Sequence, residues 1–358
     1  MLTRLAPARY TAFPETPLRL RNLALLGMLA LYAIALGRNT PHGMFDFRIF
    51  RHAGAAVLAG HSPWSVHGFV YPAPAALAFV PFAALPYGVA AALYAVLATA
   101  ALATMLWVLD VRDWRCYAAV FVSFPAMTSV STGTVSGVVA LAAALVWRFR
   151  DRRWIAGAAL GGAIALKIVL WPLLVWLVLT RRIRATMASL ATTGLLLAVS
   201  LAIVGSSTGS SLGPSSHYAL NTGGSSYSAY ALLLDSGLSQ RSASLISLAV
   251  GVALLLASVR AGDERRSFTL AVAAALVATP VVWIHYLVLL FVPIAIFRPR
   301  LSLVWWLPSV LLVLGSRDGA YGSIPSIVLV LALCVSTLAL AARATRAADS
   351  LGSGAQVR

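Results

Sequence analysis

Apolar runs recur along this chain from residue 23 to residue 342, and the gaps between them are mostly short and rich in arginine. A helix that crosses a bilayer needs roughly 20 mostly apolar residues. Backbone placed in lipid must satisfy its own hydrogen bonds, which leaves helices or a closed barrel. The runs are built largely from Ala and Leu, both strong helix formers, so an all-α, polytopic integral membrane protein is expected. Composition agrees: 60% of the 358 residues are hydrophobic and only 10% charged, more apolar surface than a soluble fold has reason to carry. The two cysteines, Cys116 and Cys334, fall in or beside apolar runs and read as small core residues without a disulfide framework.

Charge sets the orientation. The net charge is +17, from 27 basic and 10 acidic residues. The arginines collect in the gaps, as in Arg148, Arg150, Arg152 and Arg153, or Arg181, Arg182 and Arg184. Short loops with excess Lys and Arg stay cytoplasmic, which puts both termini inside. The same clusters suit anionic lipid head groups. No basic–aromatic interleaving points to nucleic acid. The organisation that follows is a cytoplasmic tail over 1–22, a membrane domain over 23–343 with external loops at about 38–86 and 205–241, and a second cytoplasmic tail over 344–358. The first run, 23–36, resembles a signal peptide and even carries Ala33-Ile34-Ala35, but the later spans favour an uncleaved anchor. Counting 75–85 as a span would put the Arg148–Arg153 cluster outside, so it is read as a juxtamembrane or re-entrant helix. The remaining spans are then 87–109, 116–131, 135–147, 154–166, 168–179, 185–204, 242–259, 268–283, 286–297, 301–314 and 324–342, about twelve with the first. Several are short for a bilayer, and a hairpin such as 154–179 is expected to turn within it beside a water-filled cavity.

On this topology the unusual polar residues share the external side. Asp46 is the only acidic residue between Glu15 and Asp110. It opens a segment, 46–58, whose Phe47, Phe50, Gly54 and Val57 share one helical face, with Arg48, Arg51 and His52 turned elsewhere. Two readings of Asp46 stay open: a catalytic base, or a helix N-cap. Lys167 is the only lysine and sits between two apolar runs, where an isolated cation is costly and usually functional; it suits a lipid phosphate, or else snorkels to head groups. His285 lies at the external end of a helix pair and suits a phosphate oxygen as a donor, or else is a satisfied core histidine. Asn221 and Ser226 in the second loop are candidate acceptor contacts. The histidines lack metal-ligand spacing, so no metal site and no cofactor are expected. No Walker motif, dinucleotide fingerprint or nucleophile elbow is present.

These elements, in their order, resemble the multispan GT-C glycosyltransferases, and most closely glycosyltransferase family 87, the polyprenyl-phosphate-mannose-dependent mannosyltransferases of actinobacteria. The resemblance rests on Asp46 after the first span, on Gly60 to Trp64, on Tyr71-Pro72-Ala73-Pro74, on the helix from Ala156-Gly157 to Lys167, and on Pro280 to His285. It implies a GT-C fold, Asp46 as general base, and Lys167 and His285 at the donor phosphate. The donor would be a polyprenyl-phosphate-linked mannose and the acceptor a glycolipid or lipid-anchored glycan. Transfer would be inverting, at the extracytoplasmic face of the cell membrane. His52, Tyr71, Thr134, Ser136, Trp283 and Tyr286 become further candidate substrate contacts. The chain departs from the family where a Gly-Gln-x-Asn element is replaced by Gly133-Thr134-Val135-Ser136, and where the second histidine of a pair is Tyr286. A decaprenyl-phosphate-arabinose donor, a lipid-linked sugar transporter or flippase, and a non-catalytic scaffold are the competing readings.

Overall fold

The computed structural model describes Tyr32 and residues 44–205, 222–314 and 323–343. The first run (Tyr32 apart), both tails and Asn221 lie outside the described residues. Every regular element among those described is helical. In chain order the α-helices are α1 (Phe45–Leu58), α2 (Ala73–Ala78), α3 (Val80–Ala83), α4 (Tyr87–Val108), α5 (Trp114–Phe121), α6 (Phe124–Ser131), α7 (Ser136–Arg148), α8 (Arg153–Leu166), α9 (Trp171–Leu179), α10 (Ile183–Val204), α11 (Ala229–Asp235), α12 (Gln240–Val259), α13 (Glu264–Val277), α14 (Phe291–Phe297) and α15 (Ile324–Arg343). Single 3-10 turns or short 3-10 runs cover Ile168–Leu170, Ile284–Leu290 and Leu303–Leu314.

Four helices, α4, α10, α12 and α15, are each long and apolar enough to cross a membrane. The others expected as spans are shorter. Residues 116–131 divide into α5 and α6 at Ser123, whose hydroxyl caps α6 by accepting from the Ala126 N–H while Pro125 occupies the first turn. That is a start signal, not a helix interior. The expected span 268–283 ends at Val277, because Pro280 disfavours helix in the residue before it and has no N–H to give. Residues 75–85 form only α2 and α3, of six and four residues, and pack against α1.

Two close approaches set the frame. Helix α8 lies against α10 along Gly157 and Gly161: a Cβ at Gly157 would sit 2.4 Å from the Ala188 Cβ, and one at Gly161 2.5 Å from the Ser189 carbonyl oxygen. Glycines four apart let two apolar helices meet backbone to backbone. Gly54 does the same for α1, whose backbone there meets Phe79, the residue joining α2 to α3, at 2.8 Å from a would-be Cβ. Helices α7, α8 and α13 have 13, 14 and 14 residues, about 20 Å each. One end of this set carries Ser136, Lys167 and Ala278, and the other carries Arg148, Arg153 and Glu264.

Candidate active site

Helix α1 begins where the residues of α6 end. The N–H groups of Asp46 and Phe47 both donate to the Thr132 carbonyl (3.0 and 3.2 Å), and the Met44 N–H donates to Ser131 (2.7 Å). The N-cap residue is Met44, in a left-handed conformation (φ 58°) and without a side-chain cap. Asp46 is therefore not the cap. Its carboxylate stands in the first helical turn, where the helix dipole favours negative charge. Gly133 makes this junction possible: it holds φ 72°, and a Cβ there would lie 2.5 Å from the Phe47 Cβ and 3.0 Å from the Met44 sulfur. The turn 133–136 thus packs directly against the start of α1. Thr134 is buried, with its hydroxyl accepting from the Ser136 N–H at 3.1 Å and its carbonyl accepting from the Tyr94 hydroxyl at 2.9 Å.

The apolar face expected for α1 is the buried one. Phe47 stacks on Tyr94 (ring centres 5.1 Å apart) and Phe50 on Phe79 (4.6 Å), and Gly54 is buried with them. Phe50 also contacts Tyr71 at 4.6 Å. This aromatic block fixes α1 and leaves Asp46 half-buried on its open side.

Lys167 ends α8 in extended conformation (φ −158°, ψ 116°). Its side chain is buried, only 7% exposed. The ammonium lies 3.6 Å from the centre of the Tyr286 ring and 5.7 Å from that of Tyr71, both within the range of cation–π attraction. Among the described residues Nζ makes no hydrogen bond. A buried ammonium with three donors left unused is costly.

Lys167 faces a cavity that it shares with Asp46. Asp46, Lys167, Tyr71, Trp283 and Tyr286 line one cavity of about 590 Å3, closed on its other sides by residues that include Phe45, Ile49, His67, Trp171, Thr279 and Pro280. Ser136 joins Lys167 and Tyr286 in a small adjoining pocket. Asp46 and Lys167 act on each other electrostatically. Burial lifts the Asp46 carboxyl above the usual carboxylate range, with the Lys167 charge pulling it back. Burial lowers the Lys167 ammonium, with Asp46 opposing. A carboxylate whose pKa is raised towards the working pH is suited to accept a proton.

The wall on the α13 side is non-helical from Ala278 to Trp283. Its freed carbonyls are taken up by the second loop: the Ser228 hydroxyl donates to the Pro280 carbonyl at 2.7 Å, the Ser226 hydroxyl to the same oxygen at 3.3 Å, and the Tyr227 N–H to Val282 at 2.8 Å. Unwound backbone at such a position is held only where other parts of the protein satisfy it. Ser226, expected as an acceptor contact, here fastens the cavity wall. His285 does not line the cavity; it is buried with its ring 5.0 Å from that of Tyr286. His52 is exposed on α1, away from the lining residues. His67, which the sequence does not single out, lines the cavity because Gly68 (φ 81°) turns the chain back over Ile49. Among the described residues no cluster of His, Cys, Asp or Glu could hold a metal ion.

A family model for glycosyltransferase family 87 matches residues 69–284, well over half the chain. The matched stretch takes in Tyr71, the turn 133–136, Lys167 and Trp283, while Asp46 precedes it and His285 follows its last residue. No curated protein and no solved structure matches the chain. An all-helical fold with membrane-length helices, a cavity that pairs a carboxylate with a buried ammonium, and a match of this extent lead to one assignment: the chain belongs to glycosyltransferase family 87 and is a glycosyltransferase.

Proposed function

We propose that this protein transfers mannose from a polyprenyl-phosphate donor to a glycolipid or lipid-anchored glycan, with inversion and with Asp46 as general base. The observation that carries this reading is the presence of Asp46 and Lys167 in one cavity. The acceptor hydroxyl gives its proton to Asp46 as its oxygen attacks the anomeric carbon. The bond from that carbon to the phosphate oxygen breaks on the opposite face. The electron pair leaves with the polyprenyl phosphate, whose growing negative charge meets the Lys167 ammonium. Base and cation then act at the two ends of a single displacement. Asp46 afterwards returns its proton to water. Tyr71 and Tyr286 hold the ammonium in place, and Trp283 offers an apolar wall to the sugar.

The same reading makes the protein a GT-C type enzyme of about twelve membrane segments. The arginine-rich ends face the cytoplasm, and the cavity opens on the extracytoplasmic side. Helices of about 20 Å that end at this cavity are shorter than a hydrocarbon core of about 30 Å. The cavity floor is therefore recessed into the bilayer, at a depth suited to a phosphate whose polyprenyl chain stays in lipid. His285 supports the Tyr286 wall from behind.

The test is transfer of labelled mannose from mannosyl-phospho-polyprenol to lipid acceptors in membranes containing the chain, with Asp46→Asn alongside. Transfer by the parent chain and a loss of about 100-fold or more in the variant is expected, since a positioned base contributes about 10²–10⁴-fold. Equal transfer by both would remove Asp46 from the chemistry. Transfer only from an arabinosyl donor would change the sugar and keep the site.

A further inference from the structure

The largest concentration of charge lies at the opposite end of α8 from Lys167, about 20 Å away along a 14-residue helix. There the turns that precede α8 and α10 enclose a cleft of about 870 Å3, lined by Arg152, Arg153, Arg181 and Arg184 together with Trp154 and Ile183. Two further arginines in the cleft are already engaged. Arg182 pairs with Asp151 (3.1 Å) and with Glu264, and Arg150 reaches Glu264 at 2.7 Å. Those two carboxylates are spent on these two arginines. Arg152 and Arg153 rest on the Phe149 and Trp154 rings. The guanidinium groups of Arg181 and Arg184 are exposed and have no hydrogen bond, ion pair or ring contact among the described residues.

A second observation concerns the backbone. Helix α9 closes with the Arg182 N–H donating to the Leu177 carbonyl (2.8 Å) and the Arg181 N–H to that of Val178 (2.9 Å). In this type of helix end the left-handed residue is usually glycine. Here it is Arg181, at φ 61°. A bulky side chain in that conformation is strained, and such strain is found where a side chain has a task. The turn places Arg181 among the residues that line the cleft. The starts of α8 and α10 also face the cleft, so two sets of free backbone N–H groups add to its positive potential.

We infer that this cleft binds the phosphate head group of an anionic membrane lipid. The argument for a lipid over a free phosphate is the rim. Trp154 is 68% exposed and Ile183 52%, and both stand in the first turn of apolar helices beside the arginines. Acyl chains would cover that surface, whereas a soluble phosphate would leave it bare. The site is separate from the transfer chemistry and depends only on the chain being embedded in a membrane.

The purified full chain, in a neutral detergent, is titrated with phosphatidylglycerol and with phosphatidylcholine, and bound lipid is counted by native mass spectrometry. The variant carries Arg181→Gly and Arg184→Gln. Glycine suits the left-handed turn and the glutamine is on the surface, so its unfolding temperature in neutral detergent should equal or exceed that of the parent. Selective retention of phosphatidylglycerol by the parent is expected, weakened about 30-fold in the variant, the ratio that follows from two interfacial arginines. Phosphatidylcholine binding should not move. Phosphatidylglycerol held equally by parent and variant would overturn the inference. So would inorganic pyrophosphate binding the parent as tightly as the lipid and displacing it, an outcome that would assign the cleft to a soluble phosphate.

Discussion

At one end of the α8–α9 hairpin, Arg150 and Arg182 grip Glu264 from two turns, and Arg182 reaches Asp151 as well. At the other end, Lys167 meets two aromatic rings and no hydrogen-bond acceptor among the described residues. The first end uses charge for architecture. Its carboxylates tie the turn between α7 and α8, the turn before α10, and the start of α13. The second end keeps a cation and a carboxylate in one cavity without joining them by a hydrogen bond. A structural ion pair tends to complete itself, whereas a catalytic pair leaves its bonding capacity for a substrate. The contrast separates arginines held by carboxylates from a lysine that, on the proposed mechanism, meets the donor phosphate.

That contrast can be broken at either end. The larger effect is expected at the cavity. Lys167→Met keeps the length and apolar stem but removes the charge, and should reduce transfer about 100-fold, as loss of a group that stabilises developing negative charge does, with the unfolding temperature held or raised. Unchanged donor saturation and turnover would reduce Lys167 to a packing residue. Gly133→Ala comes next. It adds a Cβ 2.5 Å from the Phe47 Cβ at a backbone position of φ 72°, so a loss of about 1–3 kcal/mol of stability is expected. Transfer should fall with it as α1 shifts, and thermal unfolding would show whether the junction tolerates the methyl. Glu264→Gln should cost least, about 1 kcal/mol in a partly exposed network, and leave transfer intact. Burial alone would raise the Glu264 carboxyl, but Arg150 and Arg182 hold it below its usual range. A depressed folded value means its contribution is full above the usual glutamate range and is lost as pH falls through the lower folded value. The stability gap between parent and Glu264→Gln should therefore close on acidification.

Much of the cavity was legible because its residues break the local pattern. A lone lysine between apolar runs and a lone aspartate before an amphipathic helix announce themselves in any order of reading. The buried face of α1, with Phe47, Phe50 and Gly54, followed from helical spacing alone. Asp46 as an N-cap was overturned by the register of α1, which starts at Phe45, two residues earlier than that cap would require, and takes Met44 as its cap. What the residues alone did not disclose were partnerships between distant segments. Gly133 lies more than 80 positions from Phe47, and nothing in the turn 133–136 signals that it supports another helix. Glu264 looks like an ordinary first-turn carboxylate until Arg150 and Arg182 are placed beside it. Tyr286 gained a meaning only as the ring under the Lys167 ammonium. The serines of the second loop fasten the unwound wall near Pro280, a role that depends on segments 52 and 54 positions apart folding together.

The most direct test of the central claim, that Asp46 is a base tuned by burial and by Lys167, is the acid limb of the pH–rate profile for transfer, measured for the parent and for Lys167→Met. On the proposed mechanism transfer needs the Asp46 carboxylate, so activity should fall as pH drops through its raised pKa, at a pH above the usual carboxylate range. Removing the Lys167 charge removes the influence that lowers that pKa, so the limb should move to still higher pH in the variant. A limb in the ordinary carboxylate range, unmoved by Lys167→Met, would contradict the account.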